Sequence, residues 1–442
     1  MVQLLRALAL LAAATRAAGH AHFCRECADR AAALLSSAAA DPVDTALPLL
    51  EAAPPPPPAP VAVEPFVLSE VSLRAGATTA SNLSWAAQAL NMDYLLALDV
   101  DSMAYNFRAT GGLSTEGAKP LGGWETPYAH QPPGVPATEG DDRGHFVGHW
   151  LSASALAANS TGDTELKAAA TKLVTILGTC QAANSKKYPK HGPGYLSGSP
   201  VIYFDCLENL WRRPCRYMQV PYYNVHKIMQ GLLDQHQLLG NEEAFEILVR
   251  MATYFNGRIT SLIRRNGTAV WEQVLNTETG GMNDVMYKLY AITHDPEHLR
   301  MAHLFDKQTW FGPLFNRTDN LGGNHANTHL ALQVGCANRY GVIADDEYRR
   351  ATEFFLQTLR SAHSYSTGGK RSAFQSCPQL PDLYQCTKTD IILLYVSLQA
   401  PTSESSGRRH MSRAAASSPL QRRKVVALRA MTTRSHARLI TF

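Results

Sequence analysis

The chain has 442 residues, of which 45% are hydrophobic, so it is long enough for one large domain or two to three average ones and apolar enough to bury a core. Its net charge of +4 is unevenly spread: from Pro401 onward nine Lys and Arg stand against one acid, a local charge of +8, so the residues before Pro401 sum to −4. This distribution argues against nucleic acid as a partner of the folded part. Beyond the N-terminus, no apolar run is long enough and free of charge to span a bilayer.

Residues 1–19 have the pattern of a secretory signal peptide, with Arg6 early, an apolar run, and small residues at Ala17 and Ala18 where a signal peptidase could cut. A buried helix is the alternative. Four Asn-x-Ser/Thr sequons, typical of secreted proteins, are present at Asn82, Asn159, Asn266 and Asn316. We therefore expect an extracellular glycoprotein that is not associated with a membrane.

Residues 20–65 contain Cys24 and Cys27 as a CxxC motif, followed by the proline-rich run "APPPPPAP". The proline-rich run predicts an extended linker without packed structure. The CxxC motif fits a redox or zinc knuckle, or a pair of cysteines that form disulfides elsewhere; the absence of a second CxxC favours disulfides. Cys206 and Cys215 could likewise close a short surface loop, since eight irregularly spaced cysteines fit an oxidising compartment.

From Phe66 to about Arg360 the chain follows the apolar spacing of amphipathic helices. One such stripe consists of Val225, Ile228, Met229, Leu232, Leu233 and Leu239. A weak repeat occurs in "LAANSTGDTELKAAATKL", "HQLLGNEEAFEILVRMA", "YAITHDPEHLRMAHLF" and "RYGVIADDEYRRATEFF". Each segment turns through a short loop with Gly, Asn or Asp and restarts with acids, as helix N-termini favour. The sequence therefore predicts four helical hairpins.

The first helix of each hairpin begins with polar residues, in "RGHFVGHWLSA", "YYNVHKIMQG", "GGMNDVMYKLY" and "NHANTHLALQ". Repeated hairpins of this size commonly close into an α/α toroid, whose inner helices point their starts at a central cavity. We expect that cavity to be lined by His145, His149, Asn224, His226, Asn283, Asp284, His325 and His329. A superhelical solenoid is the alternative, although solenoid concave faces are seldom so rich in His and Asn.

Two motifs have the spacing of helical zinc ligands, because "HFVGH" and "HANTH" each place two histidines on one helical face. Neither has the Glu that a zincin needs after its first His, and polar residues facing a cavity explain the pairs equally well. "WEQVLNTETGGMND" combines Glu278, a Gly-Gly turn, and Asn283 and Asp284, which could bind a ligand or cap a helix. "LGGWETPYAHQ" places Trp124 beside Glu125, an aromatic face next to a carboxylate that suits a sugar ring.

In these motifs, and in "YLLALDVDSMAYNFR", "GYLSG", "VPYYNVHKIMQGLLDQ" and "HSYSTGG", the sequence resembles glycoside hydrolase family 127, the β-L-arabinofuranosidase-like family of plant type. The resemblance covers about Phe66 to Gly369. It implies an (α/α)6 barrel, followed in complete members by β-sandwich domains that we do not expect in this chain. It also implies cleavage of β-linked L-arabinofuranose from cell-wall glycoproteins and glycans.

The resemblance further implies a retaining mechanism in which a cysteine thiolate held on zinc is the nucleophile and a glutamate is the acid/base. In the family, the glutamate, a Glu-x-Cys motif and a Cys-Cys pair follow the "YSTGG" segment. After Gly369 this chain offers only Asp382, Asp390, Glu404, Cys377 and Cys386, and neither motif occurs. We therefore expect a barrel that is incomplete at its C-terminal end, with no catalytic residue and no bound zinc.

The sequence thus predicts a barrel over residues 66–369 and a disordered basic tail over 370–442, which resembles translated non-coding or frame-shifted sequence more than a domain. The residues predicted to face an L-arabinofuranosyl ligand are Trp124, Glu125, His145, His149, His226, Glu278, Asn283, Asp284, His325 and His329. One alternative is a carbohydrate-binding pseudoenzyme, and a further one is a zinc hydrolase that uses the HxxxH pairs with Glu278 as base. The sequence does not predict the oligomeric state.

Overall fold

The structure is a computed structural model that describes residues 66–73, 79–126, 142–208 and 220–364, except for the side chains of 79–82 and 191. The chain divides into two compact units, of which Ala52–Phe442 contains every described residue. The described ranges contain thirteen α-helices and no β-strand, so the predicted all-α fold class is confirmed. The predicted signal peptide, linker and basic tail lie outside the described residues and stay predictions.

The helices are numbered in chain order. They are α1 Thr79–Ala97, α2 Val100–Gly111, α3 His145–Thr161, α4 Thr164–Lys187, α5 Ile202–Glu208, α6 Pro221–Leu239, α7 Glu242–Asn266, α8 Thr268–Leu275, α9 Met282–Thr293, α10 Pro296–Leu304, α11 Gln308–Phe315, α12 Ala326–Ile343 and α13 Asp346–Ala362. Three 3₁₀ turns also occur, at Leu68–Glu70, Gly123–Glu125 and Pro189–His191. Among the described helices, none is long and apolar enough to cross a membrane.

Four of the connections share one two-residue loop, and these join α3 to α4, α6 to α7, α9 to α10 and α12 to α13. The first loop residue has left-handed backbone and ends a helix; it is Gly162, Gly240, His294 or Ala344. The second is an Asx residue whose side chain accepts a hydrogen bond from a backbone N–H of the next helix; it is Asp163, Asn241, Asp295 or Asp345. The four predicted hairpins are therefore confirmed, and the Asx residues explain where each second helix begins.

The first helices of the hairpins form an inner layer in which α3 contacts α6, α6 contacts α9, and α9 contacts α12. The second helices form an outer layer in which α4 contacts α7 and α7 contacts α10. Inner helices run in the same direction, since the starts of α3 and α6 meet at His145 and Tyr223 while their ends meet at Asn159 and Leu238. This is the two-layer arrangement of an α/α barrel, and it brings the starts of the inner helices to one end.

The contact between α3 and α6 is especially close because two glycines lie in it. A Cβ atom on Gly148 would overlap the carbonyl oxygen of Lys227, and one on Gly231 would lie 2.6 Å from the carbonyl oxygen of Gly148. The apolar stripe predicted on α6 is confirmed in this core: Val225, Ile228, Met229, Leu232 and Leu233 are fully buried, and Leu239 is half-buried at the helix end. The two helices therefore behave as one packed unit.

A buried ion pair joins α5 to α7 behind the start of α6. The Arg258 guanidinium lies 2.7 Å from the carboxylates of both Glu208 and Asp205, and Tyr222 donates to Glu208 at 2.8 Å. Cys206, in the same helix as Glu208, is disulfide-bonded. Its partner lies outside the described residues, so the predicted pairing with Cys215 stays a prediction.

Candidate functional site

The starts of α3, α6 and α9 form one cluster of polar and aromatic side chains. The His145 ring lies 5.8 Å from the His149 ring, 6.2 Å from the Tyr223 ring and 5.7 Å from the Trp124 ring, measured between ring centroids. Trp124 is 55% exposed, so much of its ring remains open to solvent or a ligand. The cluster therefore combines imidazole nitrogens with an accessible aromatic face.

Glu125 lies beneath this cluster and caps α3. Its carboxylate accepts hydrogen bonds from the backbone N–H groups of Gly144 at 2.7 Å and Phe146 at 2.9 Å, and from the Asn106 amide at 3.3 Å. Gly144 has left-handed backbone with a φ of 94°, and a Cβ atom there would lie 3.0 Å from the backbone nitrogen of Gly198. A buried carboxylate is favourable here because unpaired N–H groups concentrate at a helix start. Glu125 thus stabilises the start of α3 and is buried, whereas Trp124, its neighbour in the predicted sugar-binding pair, is exposed and open to a ligand.

His145 is held by the same carboxylate. Its Nδ1 lies 2.6 Å from the carbonyl oxygen of Asp142 and 3.2 Å from Oε1 of Glu125. Burial lowers the pKa of His145, but the hydrogen bond and the charge of Glu125 outweigh burial and raise that pKa above its usual value. His145 is therefore the imidazole of the cluster that is most easily protonated.

His149 and His226 are the neutral imidazoles of the site. Burial lowers the pKa of each well below the usual value, and the nearby Lys227 charge lowers both further. The His226 Nδ1 accepts a hydrogen bond from the backbone N–H of Gly281 at 3.3 Å. Gly280, with a φ of 61°, leaves the space that this ring fills, since a Cβ atom there would overlap Nδ1. The predicted Gly-Gly turn thus lets the start of α9 approach α6.

Lys227 belongs to the site but was missed by sequence reasoning, although it directly follows His226 at the start of α6. Its Nζ lies over the Tyr223 ring, 4.6 Å from the ring centroid. Burial lowers the pKa of this lysine to about 8, and the charge of Glu278 partly opposes the shift. Tyr223, from the start of the same helix, lines the site as well.

Glu278 is half-buried just before α9, where Asn327 donates to its carboxylate at 3.4 Å. Asp284, in the first turn of α9, forms an ion pair with Lys288 at 2.7 Å and accepts from the Asn338 amide. The carboxylate oxygens of Asp284 are therefore already paired within the protein, whereas the Glu278 carboxylate can still accept hydrogen bonds from a ligand.

Asn283 is completely buried between α9 and α12. Its amide donates to Asp306 at 3.0 Å and to the carbonyl oxygen of Leu332 at 3.1 Å. The side chain fits there because Gly335 has no Cβ atom, which would overlap the amide. The structure thus places this predicted ligand-facing residue in helix packing, where it can only position its neighbours.

The histidines of the second HxxxH motif lie at the start of α12. His325 is exposed, with Nδ1 at 2.9 Å from the hydroxyl of Thr328. His329 donates from Nδ1 to the carbonyl oxygen of His325 at 2.8 Å and packs on the Trp310 ring at 4.4 Å. Burial lowers the pKa of His329. Within the described ranges, no ring contact or hydrogen bond joins this pair to the cluster around His145.

The described residues do not fit the zinc and thiolate centre that the family resemblance implies. No group of three or more His, Cys, Asp or Glu side chains is placed to hold a metal in the part of the chain that the structure describes. Cys180 and Cys336 are buried free thiols, and burial raises the pKa of Cys180 to about 12 and that of Cys336 further above its usual value. Cys377 and Cys386 lie outside the described residues.

The sequons differ in accessibility. Asn266 and Asn316 are exposed, at the end of α7 and just after α11. The side-chain amide of Asn159 is half-buried and donates to the carbonyl oxygen of Leu238 at 2.7 Å. The side chain of Asn82 is not among those described. Glycosylation stays a prediction, and Asn266 and Asn316 are the positions where the structure leaves room for it.

Comparison with known proteins points to one family. A family model described as "Beta-L-arabinofuranosidase, GH127 catalytic domain" matches residues 78–392, which extends past Gly369. The chain is similar to a GH127 β-L-arabinofuranosidase from Geobacillus stearothermophilus T6, with 15% identity, a TM-score of 0.45, and coverage of 68% of this chain and 47% of that one. It is also similar to a GH127 β-arabinofuranosidase with 15% identity and a TM-score of 0.38, over 72% of this chain and 45% of that one. The chain thus spans about half the length of these structures, and no curated protein matches it.

Proposed function

Because this chain belongs to the GH127 β-L-arabinofuranosidase family, we propose that it binds β-L-arabinofuranosyl groups of glycans or glycoproteins at the starts of its inner helices. The observation that carries the proposal is the cluster in which the exposed Trp124 ring, the histidines at the start of α3, and Lys227 lie together. A furanose ring presents one apolar face and several hydroxyl groups. It is therefore recognised by an aromatic surface beside a few well-placed polar groups.

The polar groups of the cluster suit hydroxyl recognition in particular. A neutral imidazole has one donor and one acceptor nitrogen, which matches a hydroxyl group that both donates and accepts. Burial keeps His149 and His226 in this neutral form. Lys227 adds donors and Glu278 adds an acceptor. These groups could satisfy several sugar hydroxyls at once.

We further propose that this chain binds its glycan without cleaving it. The acid/base glutamate and the zinc ligands that the family resemblance implies follow the "YSTGG" segment, and this chain has neither a Glu-x-Cys nor a Cys-Cys motif there. Among the described carboxylates of the site, Glu125 is held by α3 and Asp284 is paired with Lys288. The family chemistry would have supplied a thiolate nucleophile held on zinc, and the described residues do not provide one.

Binding and turnover are separable by experiment. We expect methyl β-L-arabinofuranoside to bind the purified chain saturably in a ligand-detected NMR titration, and 4-nitrophenyl β-L-arabinofuranoside to release no nitrophenol. The variant Trp124→Ala should weaken binding, because it removes the aromatic face. Methyl β-D-xylopyranoside serves as the control sugar. Failure of the wild-type chain to bind the arabinofuranoside would contradict the proposed ligand, and release of nitrophenol would contradict the proposed loss of turnover.

An extracellular location is also part of the proposal, and it is supported by the signal-like residues 1–19 and the four sequons. Expression of the chain with its own N-terminus in a plant or insect cell line should deliver it to the medium. N-terminal sequencing should then find a start near residue 20. Retention of the intact N-terminus inside the cell would contradict this part of the proposal.

A further inference from the structure

The ammonium group of Lys227 forms no ion pair within the described part of the protein. Among the described residues, neither an ion pair nor a hydrogen bond engages its Nζ, which rests over the Tyr223 ring at 4.6 Å. The next lysine of the inner layer, Lys288, is instead paired with Asp284 at 2.7 Å. The backbone of Lys227 is also fixed, since its carbonyl oxygen fits against Gly148 of α3. An ammonium group with unused donors is thus held at the centre of the cluster.

The groups that face this ammonium come from three directions. They are His149 from α3, Tyr223 and His226 from α6, and Glu278 from the segment before α9, while Lys288 of α9 acts on His226. The imidazoles are neutral, and Lys288 is balanced by Asp284. Glu278 is therefore the anion that acts on Lys227, and it raises the pKa of the lysine without forming an ion pair with it.

The Lys227 ammonium and the Glu278 carboxylate act on each other without an ion pair, so a group that bridges them would satisfy both. A hydroxyl fits this position well, because its oxygen accepts from the ammonium while its hydrogen donates to the carboxylate. A sugar with neighbouring hydroxyls can make both contacts at once. The aromatic face of Tyr223 under the ammonium fixes the direction in which Nζ points.

We propose that Lys227 is a ligand-binding residue, whose ammonium donates to a hydroxyl oxygen of the arabinofuranosyl ring while Glu278 accepts from the same or a neighbouring hydroxyl. This inference rests on the proposed function and adds a specific binding residue to it. It has a consequence for pH dependence. Burial lowers the pKa of Lys227 to about 8, so the amine is charged at pH 6.5 and largely neutral at pH 9. Binding should therefore weaken as the pH rises through this interval.

The test compares Lys227→Gln and Lys227→Arg with the wild-type chain. Lys167→Gln is the matched control, because Lys167 is an exposed lysine of the outer helix α4. Binding of methyl β-L-arabinofuranoside is measured by NMR titration at pH 6.5 and pH 9. At pH 6.5 we expect Lys227→Gln to weaken binding by about tenfold to a hundredfold, the range for losing a hydrogen bond to a charged group. Lys227→Arg should retain most of the affinity, and Lys167→Gln should bind like the wild-type chain.

The pH profile separates a binding role from a structural one. The raised pKa of His145 brings a second titrating group into the site, so the loss of affinity between pH 6.5 and pH 9 is compared between the wild-type chain and the Lys227 variants. The loss should be larger for the wild-type chain, because neither Gln nor Arg titrates there. Equal affinities of Lys227→Gln and the wild-type chain at pH 6.5, or an unchanged pH profile, would overturn the inference while leaving the proposed function intact. Failure of the wild-type chain to bind would overturn both.

Discussion

Replacing Glu125 by alanine should destabilise the whole inner layer, although the residue lies next to the exposed Trp124. The carboxylate is 5% exposed and accepts from the backbone N–H groups of Gly144 and Phe146 at the start of α3. Alanine removes both acceptors, and the surrounding packing leaves these two N–H groups without a partner. The variant therefore tests whether Glu125 is chiefly a helix cap.

The magnitude follows from the two donors that lose their acceptor. A buried donor left unpaired costs about 1–3 kcal/mol, so two of them give about 2–6 kcal/mol. A solvent-accessible helix start that loses its capping side chain typically costs about 0.5–2 kcal/mol, so burial of the two donors should place this loss above the usual capping value. We therefore expect the free energy of unfolding to fall by about 3 kcal/mol, a large share of the roughly 5–15 kcal/mol of a typical domain.

Urea unfolding followed by far-ultraviolet circular dichroism measures this difference directly. Trp124→Ala is the matched control, because its side chain is exposed and it should change sugar affinity while leaving the unfolding free energy nearly unchanged. A loss below about 1 kcal/mol for Glu125→Ala would refute the reasoning, since it would mean that the two N–H groups find other partners.

The same carboxylate should also set how stability depends on pH. Glu125 raises the pKa of His145 in the folded protein above the value of 6.5 expected for the unfolded chain. This histidine therefore contributes stability that is fully present below pH 6.5 and is lost as the pH rises through its folded pKa. In Glu125→Gln, burial is opposed only by the hydrogen bond and charge of Asp142, so the pKa of His145 falls and the stability that it contributes below pH 6.5 shrinks. Urea unfolding at pH 6 and pH 8 should therefore show a smaller loss of stability with rising pH for Glu125→Gln than for the wild-type protein, and parallel trends would contradict the assignment.

Two further predictions concern the helices and the sequons. Gly148→Ala should lower the free energy of unfolding by about 1–3 kcal/mol or more, because the new Cβ atom overlaps the backbone of α6. Gly341→Ala lies in α12, where a Cβ atom has no neighbour within 4 Å, so in the same urea assay it should raise the free energy of unfolding by about 0.5–1 kcal/mol. In protein secreted from eukaryotic cells, mass spectrometry after glycosidase treatment should find glycans at Asn266 and Asn316 and none at Asn159, whose amide is already hydrogen-bonded. Full occupancy at Asn159 would contradict the second prediction, and equal effects of the two glycine variants would contradict the first.

The hairpins could be read from the sequence because their signals are local. The loops of α3–α4 and α6–α7 each place a glycine before an Asx residue. The glycine ends one helix and the Asx residue caps the next, so two adjacent residues determine both helix boundaries. The stripe that begins at Val225 could be read for the same reason, since helical spacing alone determines which side chains share a face. The resemblance to a known family then supplied the barrel architecture that these local signals leave open.

The roles of individual polar residues could not be read in the same way. Glu125 and Asn283 both occur in polar motifs, yet their hydrogen-bond partners come from distant parts of the chain, such as Asp306 and Leu332 for Asn283. Gly335 makes room for that amide from more than fifty residues away. Lys227 was overlooked because a lysine on an amphipathic helix normally points to solvent. Whether a polar side chain is already satisfied depends on tertiary contacts that no spacing encodes.

The glycine contacts between α3 and α6 have a consequence for how a ligand enters. Helices in such close contact cannot slide or hinge past each other without collision, so His149 and Lys227 hold their relative positions before any sugar arrives. A pre-organised wall of this kind loses little conformational entropy on binding. The segment around Gly280 is fitted just as closely against the His226 ring. A sugar would therefore meet walls that are already in place, and association need not wait for a rearrangement of the helices.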